Sequence, residues 1–223
     1  MKSIIKKSLF LLILICAFES FSTHEAKAED RPTLAILPFL IERVSDPSRG
    51  AVCPVCGNVY RRGNISYGSQ NTLTRLLQEK MEEKGTFKVL PKETVEGAFL
   101  KSDKGQFESN PEPSSLQLGK ALNADYIFVG FVFRYEEREG SALGVEKPAS
   151  VGFDVHLYRI KDGKKVWTGK FDETQKPLSE NLLEIGTFVK GKGTWVKAEE
   201  LSKIGMEKML KKFPSPKELE EIP

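Results

Sequence analysis

Two cysteines separated by two residues, in Cys53-Pro54-Val55-Cys56-Gly57, are where this chain carries the most chemistry. Three readings suit them. A tight turn of this kind sets two thiolates on one side, as in a zinc knuckle, but structural zinc takes four ligands. No second Cys pair accompanies them, and the one histidine left after the leader, His156, is distant in sequence. A complete site is therefore expected only in a symmetric dimer, with zinc shared between subunits by Cys53 and Cys56 of each. As a redox dithiol, the pair would have its thiol pKa lowered by Arg61 and Arg62. Thioredoxin-like motifs open a helix, however, and the residues after Cys56 (GNVYRRGNIS) read as turns. The third and preferred reading is a local Cys53–Cys56 disulfide in an oxidising compartment. It would constrain the loop and close little chain entropy. Haem attachment is excluded, because no His follows the second Cys.

The remaining chemistry is sparse. His156 falls mid-strand on the face of Asp154 and Lys170. A proton relay is conceivable there, but the plainer reading is a partly exposed strand histidine. Residues 171–175 and 178–182 are dense in polar groups, and paired carboxylates can do acid–base work. Nothing else suggests a sugar site, and Ser179 reads as a helix cap. The chain has no phosphate-binding Walker loop, dinucleotide glycine fingerprint, HExxH or GxSxG. A Ser-His-Asp triad would rest on His156 alone. No enzyme, no small-molecule substrate and no cofactor beyond a shared zinc are expected.

The elements that must position these groups follow from periodicity. Residues 33–39 (TLAILPF) read as a short buried strand. Residues 40–67 are a long connection rich in Arg, Gly, Ser and Pro that holds both cysteines, and a loop of that length in a compact domain is usually functional. Residues 69–84 are the clearest helix: Leu73, Leu76, Leu77 and Met81 form one stripe, Ser69 or Asn71 caps it and Gly85 ends it. A short strand at 87–90 follows. A helix opened by Pro91 turns Val95, Ala98 and Phe99 inward, residues 102–113 form a polar loop, and a helix capped by Ser114 or Ser115 runs to Leu122.

Residues 125–138 form a long strand. Its first half (YIFVGFVF) is apolar on both faces and should be central, while its charged second half should protrude. Strands at 150–160 and 165–174 meet through Lys161-Asp162-Gly163-Lys164. A two-residue turn would pair Phe153 with Asp172. A three-residue turn with left-handed Gly163 and a bulge pairs Leu157 with Trp167, Phe153 with Phe171 and Asp154 with Lys170, and is preferred. A short helix at 180–188 and an amphipathic helix from 196 or 197 to 212 complete the domain.

Lys2, Lys6 and Lys7, an apolar run over residues 8–18 and Ala26-Lys27-Ala28 make a secretory leader cleaved after Ala28. The run is too short to span a bilayer. Cys16 follows Ile13-Leu14-Ile15, a poor fit to a lipoprotein signal, so a soluble periplasmic protein is favoured over an outer-membrane lipoprotein anchored at Cys16. The organisation is thus a signal peptide over 1–28, a single α/β domain over 29–213 and a flexible tail over 214–223. With 223 residues, 29% charged and 39% hydrophobic, the chain is neither a polytopic membrane protein nor wholly disordered. A net charge of +3 gives no case for nucleic acid.

The strand Ala35-Ile36-Leu37-Pro38-Phe39, the helix with Leu73-Thr74-Arg75-Leu76-Leu77, the strand at 87–90 and the run from Leu118 to Gly130 (LGKALNADYIFVG) together resemble a known group of envelope domains. They are similar to the periplasmic domain of CsgG-type lipoproteins, the amino-terminal domain of TolB and the activator lipoproteins of penicillin-binding proteins, over about residues 33–160. The resemblance implies a non-enzymatic α/β sandwich that binds other envelope proteins. The transmembrane hairpins of the CsgG pore have no counterpart here. The expected fold is a mixed sheet of about five strands with an antiparallel meander, packed by helices. The expected function is a cell-envelope module that docks a protein partner through residues 40–67 and the strand ends near 134–148, with Arg61, Arg62, Arg134 and Arg138 as its contacts. The alternative is a zinc or thiol-redox protein using Cys53 and Cys56.

Overall fold

The computed structural model describes residues 31–41, 50–142, 144–176 and 195–223. The expected leader with Cys16, residues 42–49 of the long connection and the helix expected at 180–188 lie outside the described residues. The chain runs through β1 (Thr33–Ile36), β2 (Leu40–Ile41), β3 (Ala51–Val52), β4 (Val59–Tyr60), α1 (Ser69–Lys84), β5 (Lys88–Val89), α2 (Lys92–Lys101), α3 (Lys104–Ser109) and α4 (Pro111–Ala121). It continues through β6 (Tyr126–Glu136), β7 (Glu139–Gly140), β8 (Val145–Lys147), β9 (Ser150–Arg159), β10 (Lys164–Thr174), α5 (Ala198–Leu210) and α6 (Pro216–Glu221). Among the described residues no helix is long and apolar enough to cross a membrane.

The sheet has the order β10-β9-β6-β1-β5, with β2 also pairing β6. β1 is parallel to β5 and β6, whereas β6, β9 and β10 form an antiparallel meander. This is the mixed α/β class expected from the sequence. Strands alternate side chains between faces, and both faces are covered. Leu34, Phe128, Val151, Phe153, Val155 and Leu157 pack against α1 and α5. Ala35, Ile127, Val129, Phe131, Phe133 and Tyr158 pack with the β3–β4 hairpin and with Val95, Phe107 and Leu118 of α2, α3 and α4. β6 lies at the centre and is buried along almost its whole length, as its unbroken apolar run demands.

Leu157 does stand opposite Trp167, Phe153 opposite Phe171 and Asp154 opposite Lys170. The turn itself is longer than expected. Lys164 pairs with Arg159, which leaves four residues in the turn, and the extra residue is absorbed by a bulge between Lys165 and Trp167. Gly163 adopts φ +73°, the left-handed conformation expected of it.

Five expectations are corrected. α4 starts at Pro111 with Asn110 as its N-cap, not at Ser114 or Ser115, which lie within the helix. The N-cap of α1 is Gly68, not Ser69 or Asn71, and no side chain caps it. Residues 104–109 form a helix capped by the Asp103 side chain on the Gly105 amide, because Phe107 has a core to enter. The charged half of β6 does not protrude: Arg134 and Tyr135 are buried, with the Tyr135 amide donating to the Asn64 carbonyl at 2.8 Å. Residues 214–223 are not a frayed tail. A Ser215/Glu218 capping box starts α6 and Leu219 is fully buried. Arg159 donates to the carbonyls of Leu219 (2.7 Å), Glu220 (3.2 Å) and Ile222 (3.0 Å), satisfying orphan groups at the helix end.

Phe39 lies so close over β6 that a Cβ on Gly130 would meet its ring at 2.6 Å. Gly130→Ala should therefore lower stability by about 1–3 kcal/mol through overpacking, read as a lower urea midpoint at unchanged slope.

Candidate functional site

The β3–β4 hairpin is a knuckle. The Cys53 amide donates to the Asn58 carbonyl at 2.9 Å and the Gly57 amide to the Cys53 carbonyl at 3.0 Å. Gly57 takes φ +71°, which a residue with a Cβ rarely adopts. The Val55 amide points back at Cys53 Sγ at 3.4 Å. The turn thus aims both sulfurs to one side, down onto the sheet.

Below it lies β9. Val151, Phe153, Val155 and Leu157 enter the α1/α5 core, so Asp154 and His156 must take the opposite face, beneath the hairpin. Both side chains are 0% exposed. Cys53 Sγ is 3.2 Å from His156 Nε2, and Cys56 Sγ is 3.7 Å from Asp154 Oδ2. His156 Nε2 is 3.3 Å from Asp154 Oδ1. One ligand-type atom from each of the four residues lies within 4.8 Å of all the others.

Each β9 group has an outer support. Tyr60 donates its hydroxyl to Asp154 Oδ2 at 2.9 Å while its ring stacks on Phe133, centroids 4.0 Å apart. His156 Nδ1 meets Thr168 Oγ1 at 3.0 Å. Asp154 Oδ1 has no hydrogen-bond partner although it is buried. Burial first, and then the Asp154 carboxylate, push the Cys53 thiol well above its ordinary pKa and do the same to the Tyr60 hydroxyl. A reactive dithiol needs the reverse shift. Cys53 and Cys56 are not joined by a disulfide in this structure.

The sequence-predicted residues separate into two groups. Cys53 and Cys56 come together with His156, which is distant along the chain but adjacent in space, so one subunit supplies four donors and the dimer expectation loses its premise. His156 is not the partly exposed residue expected. Arg134 is buried and therefore turned away from any partner. It donates to Ser150 Oγ (2.6 Å), the Arg61 carbonyl (2.5 Å), the Val151 carbonyl (3.3 Å) and Asp172 Oδ1 (2.6 Å). Asp172 Oδ2 in turn accepts from the Arg61 amide at 3.3 Å. Arg134 and Asp172 thus clamp the backbone just after β4. The Arg61 side chain is exposed and Arg62 half-buried, and neither makes an ion pair or hydrogen bond to a thiol among the described contacts. Arg138 is half-buried and donates to the Trp195 carbonyl at 2.6 Å.

Sequence reasoning set Asp154 on the face of His156 but did not bring either to the cysteines, and it missed Tyr60 and Thr168 as members of the site.

No protein-family model matches the chain, and no curated protein does. Among solved structures it is similar to the PelC dodecamer from Paraburkholderia phytofirmans, at 11% identity over 81% of this chain and 85% of that one, with a TM-score of 0.45. It is also similar to lipoprotein GNA1162 from Neisseria meningitidis, at 14% identity over 72% and 93% of the two chains and a TM-score of 0.42. The LpoB C-terminal domain from Salmonella enterica gives 12% identity, 65% and 83% coverage and a TM-score of 0.40. At these identities and scores the likeness carries no argument about the site, and the finer CsgG-type and TolB resemblance is not shown by it.

Replacing Arg134 with Ala should cost about 2–4 kcal/mol, since it strips charged hydrogen bonds from a buried junction. Arg61→Ala should stay within about 0.5 kcal/mol of the parent, as exposed substitutions do. Urea denaturation of both variants checks the contrast.

Proposed function

We propose that this chain is an exported, non-enzymatic module of the cell envelope whose β3–β4 hairpin docks a protein partner. The observation that carries the reading is the two-sidedness of that hairpin. Its underside is fixed to the sheet through Cys53, Tyr60 and the Arg134–Asp172 clamp. Its outer side presents Val52 and Val59, directly opposed across the two strands, at 45% and 69% exposure. Two apolar side chains held outward on a two-stranded ribbon, beside an exposed arginine, have the make-up of a small anchor with a polar rim.

Export is supported by the leader pattern of residues 1–28 and its Ala26-Lys27-Ala28 end. The absence of a reaction is supported by the enclosure of the cluster, where Cys53 is buried and the one histidine of the described residues is fully enclosed. Arg61, exposed just after β4, is the arginine that would touch a partner at the hairpin.

A photo-crosslinking residue at position 59, introduced in the full chain in cells, should give discrete protein adducts. The same residue at Leu100, exposed on α2, should not. Val59→Asp with a crosslinker at position 52 should lose the adduct without changing thermal stability. Equal labelling at 59 and 100, no adduct at either hairpin position, or a precursor that stays in the cytoplasm would overturn the reading.

A further inference from the structure

We propose that Cys53 Sγ, Cys56 Sγ, Asp154 Oδ1 and His156 Nε2 hold one Zn²⁺ within a single chain, in a closed structural site that pins the hairpin to the sheet. The proposal stands apart from the docking reading, since it rests on the underside of the hairpin alone.

Four observations converge. The first is size. With Zn–S of about 2.3 Å and Zn–N or Zn–O of about 2.0–2.2 Å, a tetrahedral centre has ligand–ligand edges of about 3.3–3.8 Å. Here Cys53 Sγ stands 3.2 Å from His156 Nε2 and His156 Nε2 stands 3.3 Å from Asp154 Oδ1, and one ligand-type atom from each of the four residues lies within 4.8 Å of all the others. The second is the unpartnered Asp154 Oδ1. A buried carboxylate oxygen is costly unless a cation or donor meets it. Among the described residues, the ion-pairing partner of Asp154 is His156, and that contact is not a hydrogen bond. A cation between Oδ1 and the two sulfurs would satisfy all of them together.

The third observation is the knuckle, whose Val55 amide is directed at Cys53 Sγ, a donor suited to a thiolate and wasted on a thiol. The fourth is the outer layer. Thr168 beside Nδ1 allows His156 to donate there and leave Nε2 free to coordinate, and Tyr60 holds the other carboxylate oxygen. Coordinating histidines and carboxylates are oriented in this way.

The donor set selects the metal class. Two sulfurs, one imidazole and one carboxylate are wrong for calcium or magnesium, which take oxygen ligands, and suit tetrahedral zinc. Four protein ligands leave no open position, which marks a structural rather than a catalytic site. Binding converts two thiols to thiolates and releases two protons, with no electron transferred. A Cys53–Cys56 disulfide would remove both sulfur ligands, so the two states exclude each other.

The test is zinc stoichiometry on the full chain, isolated after export without chelator and again after reduction and incubation with zinc alone. One zinc per chain by elemental analysis and native mass spectrometry is expected, with Co²⁺ exchange giving the visible bands of a tetrahedral thiolate site. Asp154→Asn and His156→Gln should abolish stoichiometric binding. Because those variants alter buried residues, Thr168→Ala, at an exposed position, serves as the folded control and should weaken zinc affinity about 10- to 100-fold. A locked disulfide that takes no zinc even after reduction would overturn the proposal. So would half a zinc per chain in a dimer, or binding unaffected by the Asp154, His156 and Thr168 changes.

Discussion

Alternation along β9 is the constraint on which the rest of this structure depends. A strand buried on both faces gives every second side chain to each core. Val151, Phe153, Val155 and Leu157 claim the α1/α5 side, so Asp154 and His156 have no route to water. A buried carboxylate beside a buried imidazole must be met by something polar. The β3–β4 hairpin is the element that meets it, with two sulfurs and a tyrosine hydroxyl. Hairpin and β9 are therefore one chemical unit, although Cys53 and His156 are 103 residues apart in sequence.

Buried guanidinium groups solve a related problem at two other places. The short hairpin and the short α6 are too small to hold themselves by apolar burial alone. Arg134 gathers the backbone after β4 through the Arg61 carbonyl and Asp172, and Arg159, itself paired with Asp162 of the β9–β10 turn, gathers the end of α6 through three carbonyls. In each case the charge is spent on backbone oxygens that would otherwise be unsatisfied at an element's end. This is why two arginines in strands face inward in a chain with ample exposed lysine.

What could be read in advance follows the range of the interaction that decides it. Local signals sufficed for α1, where Leu73, Leu76, Leu77 and Met81 fix the buried face and Gly85 stops the helix. They sufficed for the β9–β10 register, because only one pairing sets Phe153 against Phe171. They failed where burial is conferred from afar. Arg134 reads as a charged strand end until residues 61–66 lie across it. Residues 214–223 read as a tail until Arg159 receives them. His156 reads as half-exposed until the cysteine hairpin closes over it. The candidate site was legible as a pair of thiols, and its other half was hidden because side-chain alternation gives a face but not what covers that face.

The most direct measurement of the central claim is X-ray absorption at the zinc edge on the full chain after export. The account predicts two sulfur scatterers at about 2.3 Å and two nitrogen or oxygen scatterers at about 2.0–2.2 Å. Four sulfurs would mean cysteines shared between subunits, and a shell of oxygen and nitrogen alone would mean adventitious metal. Either result, or no zinc edge from reduced and zinc-supplied protein, would contradict it.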